Sequence, residues 1–282
     1  MRIDTHQHYW RFDPVRDSWI TADMRVLQRD FLPADAMPLL AAAGMDGVVA
    51  VQASQSETET EFLLALAVEH EIIRGVVGWV DLRAPDLRER LARWSGNPWL
   101  KGFRHIAQSE PDDFLARPEV IAGIEQLGVA GFTYDILIYP RQLAAAEHLV
   151  ARCPGVSFIL DHCAKPAIAS GEIAEWRTGL AALARHPNVT CKLSGLVTEA
   201  DWRTWNDAAL EPCLDAAADA FGAGRLMFGS DWPVCLLAAE YEAVVAVVTR
   251  WAERLTPSER ASVFGGTAQA VYGLHGGAIG IG

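Results

Sequence analysis

Eight short apolar runs punctuate this chain, and polar or helix-patterned segments separate them from one end to the other. The runs are residues 2–6, 47–52, 74–80, 100–105, 130–134, 156–161, 189–193 and 226–230. Each is brief and rich in Val, Ile, Leu or Phe, as a buried parallel strand should be. Stretches 58–71, 86–94, 141–152 and 172–185 carry helical patterning between them. Start and stop signals agree. Ser56 with Glu59, and Thr256 with Glu259, fit capping boxes, and Pro257 stands at a first helical position where its missing N–H costs nothing. Gly44, Gly128 and Gly222 stand where helices should stop.

Eight strand–helix units in about 250 residues predict an α/β fold, the closed (β/α)8 TIM barrel. It should form one domain over residues 1–274, with the glycine-rich residues 275–282 as a disordered tail. An open doubly wound sheet is the competing arrangement, but no G-x-G-x-x-G turn follows an early strand. Residues 9–33 make a long first loop carrying Trp10, Phe12, Trp19 and Phe31. On a barrel this loop lies at the catalytic face, where it covers the site or packs as decoration on the rim.

Composition narrows the functional classes. Apolar residues make up 51% of the 282, enough for a large core. A formal net charge of −12 argues against nucleic-acid or anionic-membrane partners, both of which call for basic patches. No apolar run is long enough to cross a bilayer. Cys153, Cys163, Cys191, Cys213 and Cys235 form no C-x-x-C pair and read as buried free thiols in a reducing compartment. The opening Arg2-Ile3-Asp4-Thr5-His6 reads as a strand and not as a signal peptide, so the cytoplasm is the expected location by default. Monomer and homodimer are both open.

The ends of the runs carry the chemistry. The first ends in His6-Gln7-His8, and residues two apart on a strand share a face, so both imidazoles aim into one space. The others end at Gln52, Asp81, Arg104-His105, Tyr134-Asp135, Asp161-His162, Lys192 and Ser230-Asp231-Trp232. A lone Asp after a strand is usually a helix cap and a lone core His is usually structural. In a barrel, however, all eight ends meet at one rim, and burying so many ionisable groups together is costly unless they pair or react. His6, His8, His162 and Asp231 are the candidate catalytic groups. Arg104, His105, Gln52, Asp81 and Trp232 are candidates to hold substrate. His-x-His on a strand also suits a metal, and Asp231 would complete a set of His6, His8 and Asp231 around one divalent ion.

Together these motifs resemble the amidohydrolase superfamily and its amidohydrolase-2 family. Asp4-Thr5-His6-Gln7-His8-Tyr9-Trp10 is similar to that family's opening signature. Gly102-Phe103-Arg104-His105, Leu160-Asp161-His162-Cys163-Ala164-Lys165-Pro166, Cys191-Lys192-Leu193-Ser194-Gly195 and Phe228-Gly229-Ser230-Asp231-Trp232-Pro233 look like its later blocks, in order and over nearly the whole chain. Within the family the chain looks most like the sugar-lactonase branch, which opens aldonolactones such as L-fuconolactone and L-rhamnonolactone. The resemblance implies Asp231 as general base, His6, His8 and His162 lining the site, and Arg104 bonding the substrate. The fifth run ends in Tyr134-Asp135, where metal-rich members carry a His, and the fourth in Arg104-His105, where they often carry a bridging Lys or Glu. A binuclear site is therefore not expected. One divalent ion, zinc foremost, or none is what the branch implies, with no organic cofactor. The competing activities are a metal-dependent decarboxylase of the same superfamily and a hydrolase of a dicarboxylate, pyrone-type lactone. A non-catalytic sugar-binding barrel is the alternative from another class, and Asp231 beside histidines argues against it.

Overall fold

The computed structural model describes residues 1–274. The strands are β1 (Ile3–Gln7), β2 (Gly47–Val51), β3 (Ile73–Gly78), β4 (Leu100–His105), β5 (Thr133–Ile136), β6 (Phe158–Leu160), β7 (Val189–Leu193) and β8 (Leu226–Phe228). They form one sheet in sequence order, every neighbouring pair parallel. Two backbone bonds join the first strand to the chain just after the last: Asp231 N donates to His6 O at 2.9 Å and His8 N to Trp232 O at 2.7 Å. The sheet is thereby curled into the expected barrel. Helices Pro33–Ala42, Glu57–Glu69, Leu87–Arg93, Pro118–Val129, Leu143–Arg152, Ala174–Ala184 and Asp207–Phe221 link successive strands, Tyr241–Ala252 follows the last strand, and together they cover the outside. The expected tail, residues 275–282, lies outside the described residues.

Two start-and-stop expectations need correcting. Ser56 does cap its helix, accepting from Glu59 N at 3.1 Å. The Glu59 carboxylate, however, reaches past the cap to Ala53 N and Ser54 N, so it ties down the β2 loop and does not close a capping box. Gly128 lies inside the helix Pro118–Val129, and the turn comes at Gly131, whose φ is +83°. A Cβ on Gly128 would meet Val156 Cγ2 at 2.6 Å, so that glycine serves close packing.

The barrel interior has two chemistries. Its lower part is apolar: Ile3, Val49, Val51, Val77, Ile159 and Met227 pack together, closed off by Ala268, Tyr272 and Leu274 from the C-terminal segment. Each such side chain contributes roughly 1.5–3 kcal/mol by burial. The register of β1 shifts between Asp4 and Gln7, and this irregularity lets Ile3 join the apolar layer while His6 faces the polar layer above. Asp4 points the other way and stitches the seam. It accepts from Ser230 N at 2.8 Å, Gln7 Nε2 at 2.7 Å and Tyr241 Oη at 3.3 Å.

Candidate active site

The upper layer of the barrel interior is built from the inward-facing residues at the strand ends. Arg104 on β4, Asp135 on β5, Asp161 after β6 and Lys192 on β7 are all buried there. They form a charge-balanced network. Lys192 Nζ donates to Asp135 Oδ2 at 2.6 Å and lies 3.0 Å from Asp161 Oδ1, while Arg104 Nη1 donates to Asp161 Oδ2 at 3.0 Å. Tyr272 reaches up from below and donates to Asp135 Oδ2 at 2.8 Å. Two cations facing two carboxylates offset a desolvation cost that none could bear alone. Burial pushes Asp135 up to about 6, with Lys192 working against it. Burial also disfavours the charge on Asp161, but Lys192, His6 and Arg104 prevail and hold that carboxyl well below its usual range.

His6 stands on this layer. Its Nδ1 is 3.4 Å from Asp161 Oδ1 and 3.3 Å from Lys192 Nζ, and its Nε2 is 3.1 Å from Arg104 Nη1. Burial, with Lys192 beside it, lowers its pKa well below the usual value, so the ring is neutral at pH 7. His8 shares its face of the strand. Its Nδ1 is 2.8 Å from Val51 O and its Nε2 is 3.3 Å from Asp231 Oδ1. Asp231 follows β8 with φ +61°, a left-handed conformation that non-glycine residues enter only at a cost. This places its Oδ1 3.8 Å from His6 Nε2 and 4.0 Å from His162 Nε2 as well. Burial opposes ionisation of Asp231, but the three imidazoles more than offset it, and the carboxyl lies below the usual carboxylate range.

His162 arrives by an unusual backbone. After β6 the residues His162, Cys163, Ala164 and Lys165 take φ of 53°, 51°, 59° and 51° in succession. Left-handed geometry costs about 1–2 kcal/mol per non-glycine residue, so the surrounding structure must hold this turn in place. Trp176 Nε1 donates to Cys163 O at 2.6 Å, and His162 Nδ1 meets Ser194 Oγ at 2.9 Å. Gly195 makes room, since a Cβ there would lie 2.5 Å from His162 Nδ1. Burial lowers His162 to about 4, so it too is a neutral imidazole at pH 7.

A cavity of about 220 Å³ opens onto these groups. Its lining includes His8, Arg104, His162, Lys165 and Asp231, with Trp19, Ile106, Gln108, Leu137 and Val234 around them. That is smaller than the ~300–1,000 Å³ of drug-sized pockets and suits one small ring. Trp19 brings the first loop to the cavity wall. A larger hollow of about 310 Å³ lies beside it, between the loop and helix Glu57–Glu69, and has no group against Asp231.

The structure does not bring every candidate together. Gln52 is buried behind Arg104, whose Nη2 donates to both its carbonyl and its Oε1. His105 follows Arg104 on β4, so it points to the opposite face, stacked on Phe114 and bonded to Glu110 at 3.0 Å. Asp81 binds Arg83 N at 3.0 Å, away from the cavity. Trp232 packs edge-on to Tyr9 and Phe31 in the wall. Lys165, Asp161 and Lys192 carry more of the site than their motifs alone disclosed. Their signal was an ionisable residue at or just beyond a strand end. The left-handed turn that aims Lys165 has no sequence marker such as glycine.

One ligand nitrogen from each of His6 and His8 and one oxygen of Asp231 lie within 4.8 Å of one another, the spacing of a metal set. His8 supports the fit. With Nδ1 turned to Val51 O at 2.8 Å, its Nε2 faces Asp231 Oδ1 at 3.3 Å, an arrangement in which both atoms could serve one cation. Arg104, 3.1 Å from His6 Nε2, competes for the same lone pair.

Comparison with known proteins gives consistent results. The sequence profile of the amidohydrolase family matches residues 3–274. An L-fucono-1,5-lactonase of Burkholderia multivorans is 48% identical over 97% of this chain and 96% of its own length. An L-fucono-1,5-lactonase of Burkholderia ambifaria is 38% identical over 96% of this chain and 95% of its own. The crystal structure of a Burkholderia multivorans amidohydrolase with bound zinc superposes with a TM-score of 0.95 at 48% identity, covering 98% of this chain and 100% of that one.

Proposed function

This chain belongs to the amidohydrolase family, and from that premise we propose that it is a sugar lactonase, opening an L-fuconolactone-like aldonolactone to the aldonic acid. The observation that carries the reading is Asp231: an ionised carboxylate facing three imidazoles in a cavity sized for one ring. A lactone is an activated ester and needs a poised water and a polarised carbonyl. Asp231 takes a proton from water as its oxygen attacks the carbonyl carbon. The neutral imidazoles of His6 and His162 orient that water and bond the attacked group, and His162 is fixed for this by Ser194. Arg104, anchored on Asp161 and Gln52, holds His6 in place from behind. As the tetrahedral carbon collapses, the ring C–O bond breaks and the ring oxygen takes the proton from Asp231.

His6, His8 and Asp231 would hold one divalent ion, zinc foremost, which when bound supplies Lewis acidity at the carbonyl and a more acidic water. A panel of aldonolactones assayed with a pH indicator tests the function, because ring opening releases a proton at neutral pH. L-Fucono-1,5-lactone should be among the best substrates. Failure to open any member of the panel would reject the reading.

A further inference from the structure

We propose that Lys165 is a catalytic cation of this site: its ammonium binds the oxygen that turns negative when the lactone carbonyl is attacked, and keeps it as the product carboxylate. This rests on the lactonase reading above.

Two permanent cations line the cavity, Arg104 and Lys165. Counting donors separates their roles. Arg104 Nη1 is committed to His6 Nε2 at 3.1 Å and Asp161 Oδ2 at 3.0 Å, and Nη2 to Gln52. Those bonds build the site and leave only Nε–H, which is buried without a partner. The Lys165 ammonium has three N–H donors, and one hydrogen bond holds it among the described residues, to Glu199 Oε1 at 3.0 Å. Glu199 and the Tyr139 ring, 5.6 Å away, anchor the cation at the cavity wall, and two donors remain for a guest.

The backbone points the same way. Lys165 ends the left-handed run that begins at His162. A right-handed turn would be easier by several kcal/mol at about 1–2 kcal/mol per residue, and the left-handed run as it stands presents both His162 and Lys165 to one cavity. In the reaction, the water oxygen bonds to the carbonyl carbon and its proton goes to Asp231. The carbonyl π pair moves onto oxygen, where Lys165 faces it. Collapse restores the C=O bond and releases the ring oxygen, which is protonated by Asp231. The acid formed ionises, and its carboxylate stays against Lys165 until release.

Lys165→Gln removes the charge but keeps a donor for Glu199, and Lys165→Met keeps the apolar stem. In either variant that retains the wild-type circular dichroism, kcat for L-fucono-1,5-lactone should fall about 100-fold, the usual effect of losing one oxyanion donor. Its Kd for L-fuconate, the ring-opened acid, should rise about tenfold or more by calorimetry. Lys165→Arg should recover part of both. A wild-type measurement covers the case in which neither variant folds: L-fuconate should bind at least about tenfold tighter than L-fucitol, which lacks the carboxylate. Variants within threefold (roughly 0.7 kcal/mol) of wild type in kcat, or equal binding of the acid and the alditol, would overturn the assignment. If the wild type opens no lactone, the lactonase reading fails by that result, and the acid-to-alditol comparison still judges the cation.

Discussion

Gly195→Ala tests the claim that the left-handed turn positions His162, and Gly44→Ala is its control. Both glycines have φ near +64° (63° and 64°), so alanine pays the same backbone penalty at each, about 1–2 kcal/mol. At Gly44 nothing lies within 4 Å of the added Cβ. At Gly195 that Cβ would sit 2.5 Å from His162 Nδ1 and 2.7 Å from its Cγ, so the ring must move. The move breaks the His162–Ser194 hydrogen bond, which contributes about 1 kcal/mol, and adds strain in a packed layer of about 1–3 kcal/mol. Gly195→Ala should therefore be less stable than Gly44→Ala by roughly 2–4 kcal/mol, and lower in Tm by several degrees, at about 2–4 °C per kcal/mol for a chain of this size. Gly44→Ala should keep wild-type activity. Gly195→Ala should lose about 100-fold in kcat/KM, the typical effect of misplacing a reacting group by an ångström. Differential scanning calorimetry and the lactone assay read both. Equal transitions and equal activities in the two variants would refute the positioning argument.

Further outcomes follow from the structure. Asp231→Asn should lower kcat by about 10²–10⁴ with little change in Tm, and full activity would remove Asp231 as the base. Asp161→Asn strips the carboxylate from buried Arg104 and Lys192 and should cost roughly 3–5 kcal/mol in chemical denaturation; a shift under about 1 kcal/mol would show the network is not balanced as described. His162 titrates near 6.5 unfolded and about 4 folded, so the unfolded chain binds protons first. Its contribution is complete above pH 6.5 and drains by about 3 kcal/mol as pH falls to 4, which His162→Gln should abolish; Glu59, raised to about 7 by burial, has the opposite slope, and Glu59→Gln should remove that. His8→Ala should weaken zinc binding at least about tenfold in competition with a chromophoric chelator, since even supporting residues of metal sites carry that much; unchanged affinity would take His8 out of the ligand set.

Local pattern determined much of this protein. Apolar runs of β-forming residues separated by helical patterning could satisfy burial on both faces in few ways, and β4 and β7 begin and end where the runs do, at Leu100–His105 and Val189–Leu193. The two-residue repeat placed His6 and His8 together, and strand-end position collected Arg104, His162 and Asp231. The same repeat, applied strictly, excludes His105, which follows Arg104 and must face outward. What tertiary structure alone decided is which charges pair and which stay free. Gln52 fastens Arg104, Asp161 and Lys192 neutralise one another's burial, and Glu59 secures a loop rather than a cap. The bonds of Gln52 to Arg104 and of Asp161 to Lys192 join residues tens of positions apart, so their energies depend on distances that no local spacing encodes. The left-handed turn from His162 to Lys165 belongs with them. No residue in it prefers that conformation, and it exists because Trp176, Ser194 and the gap left by Gly195 hold it there.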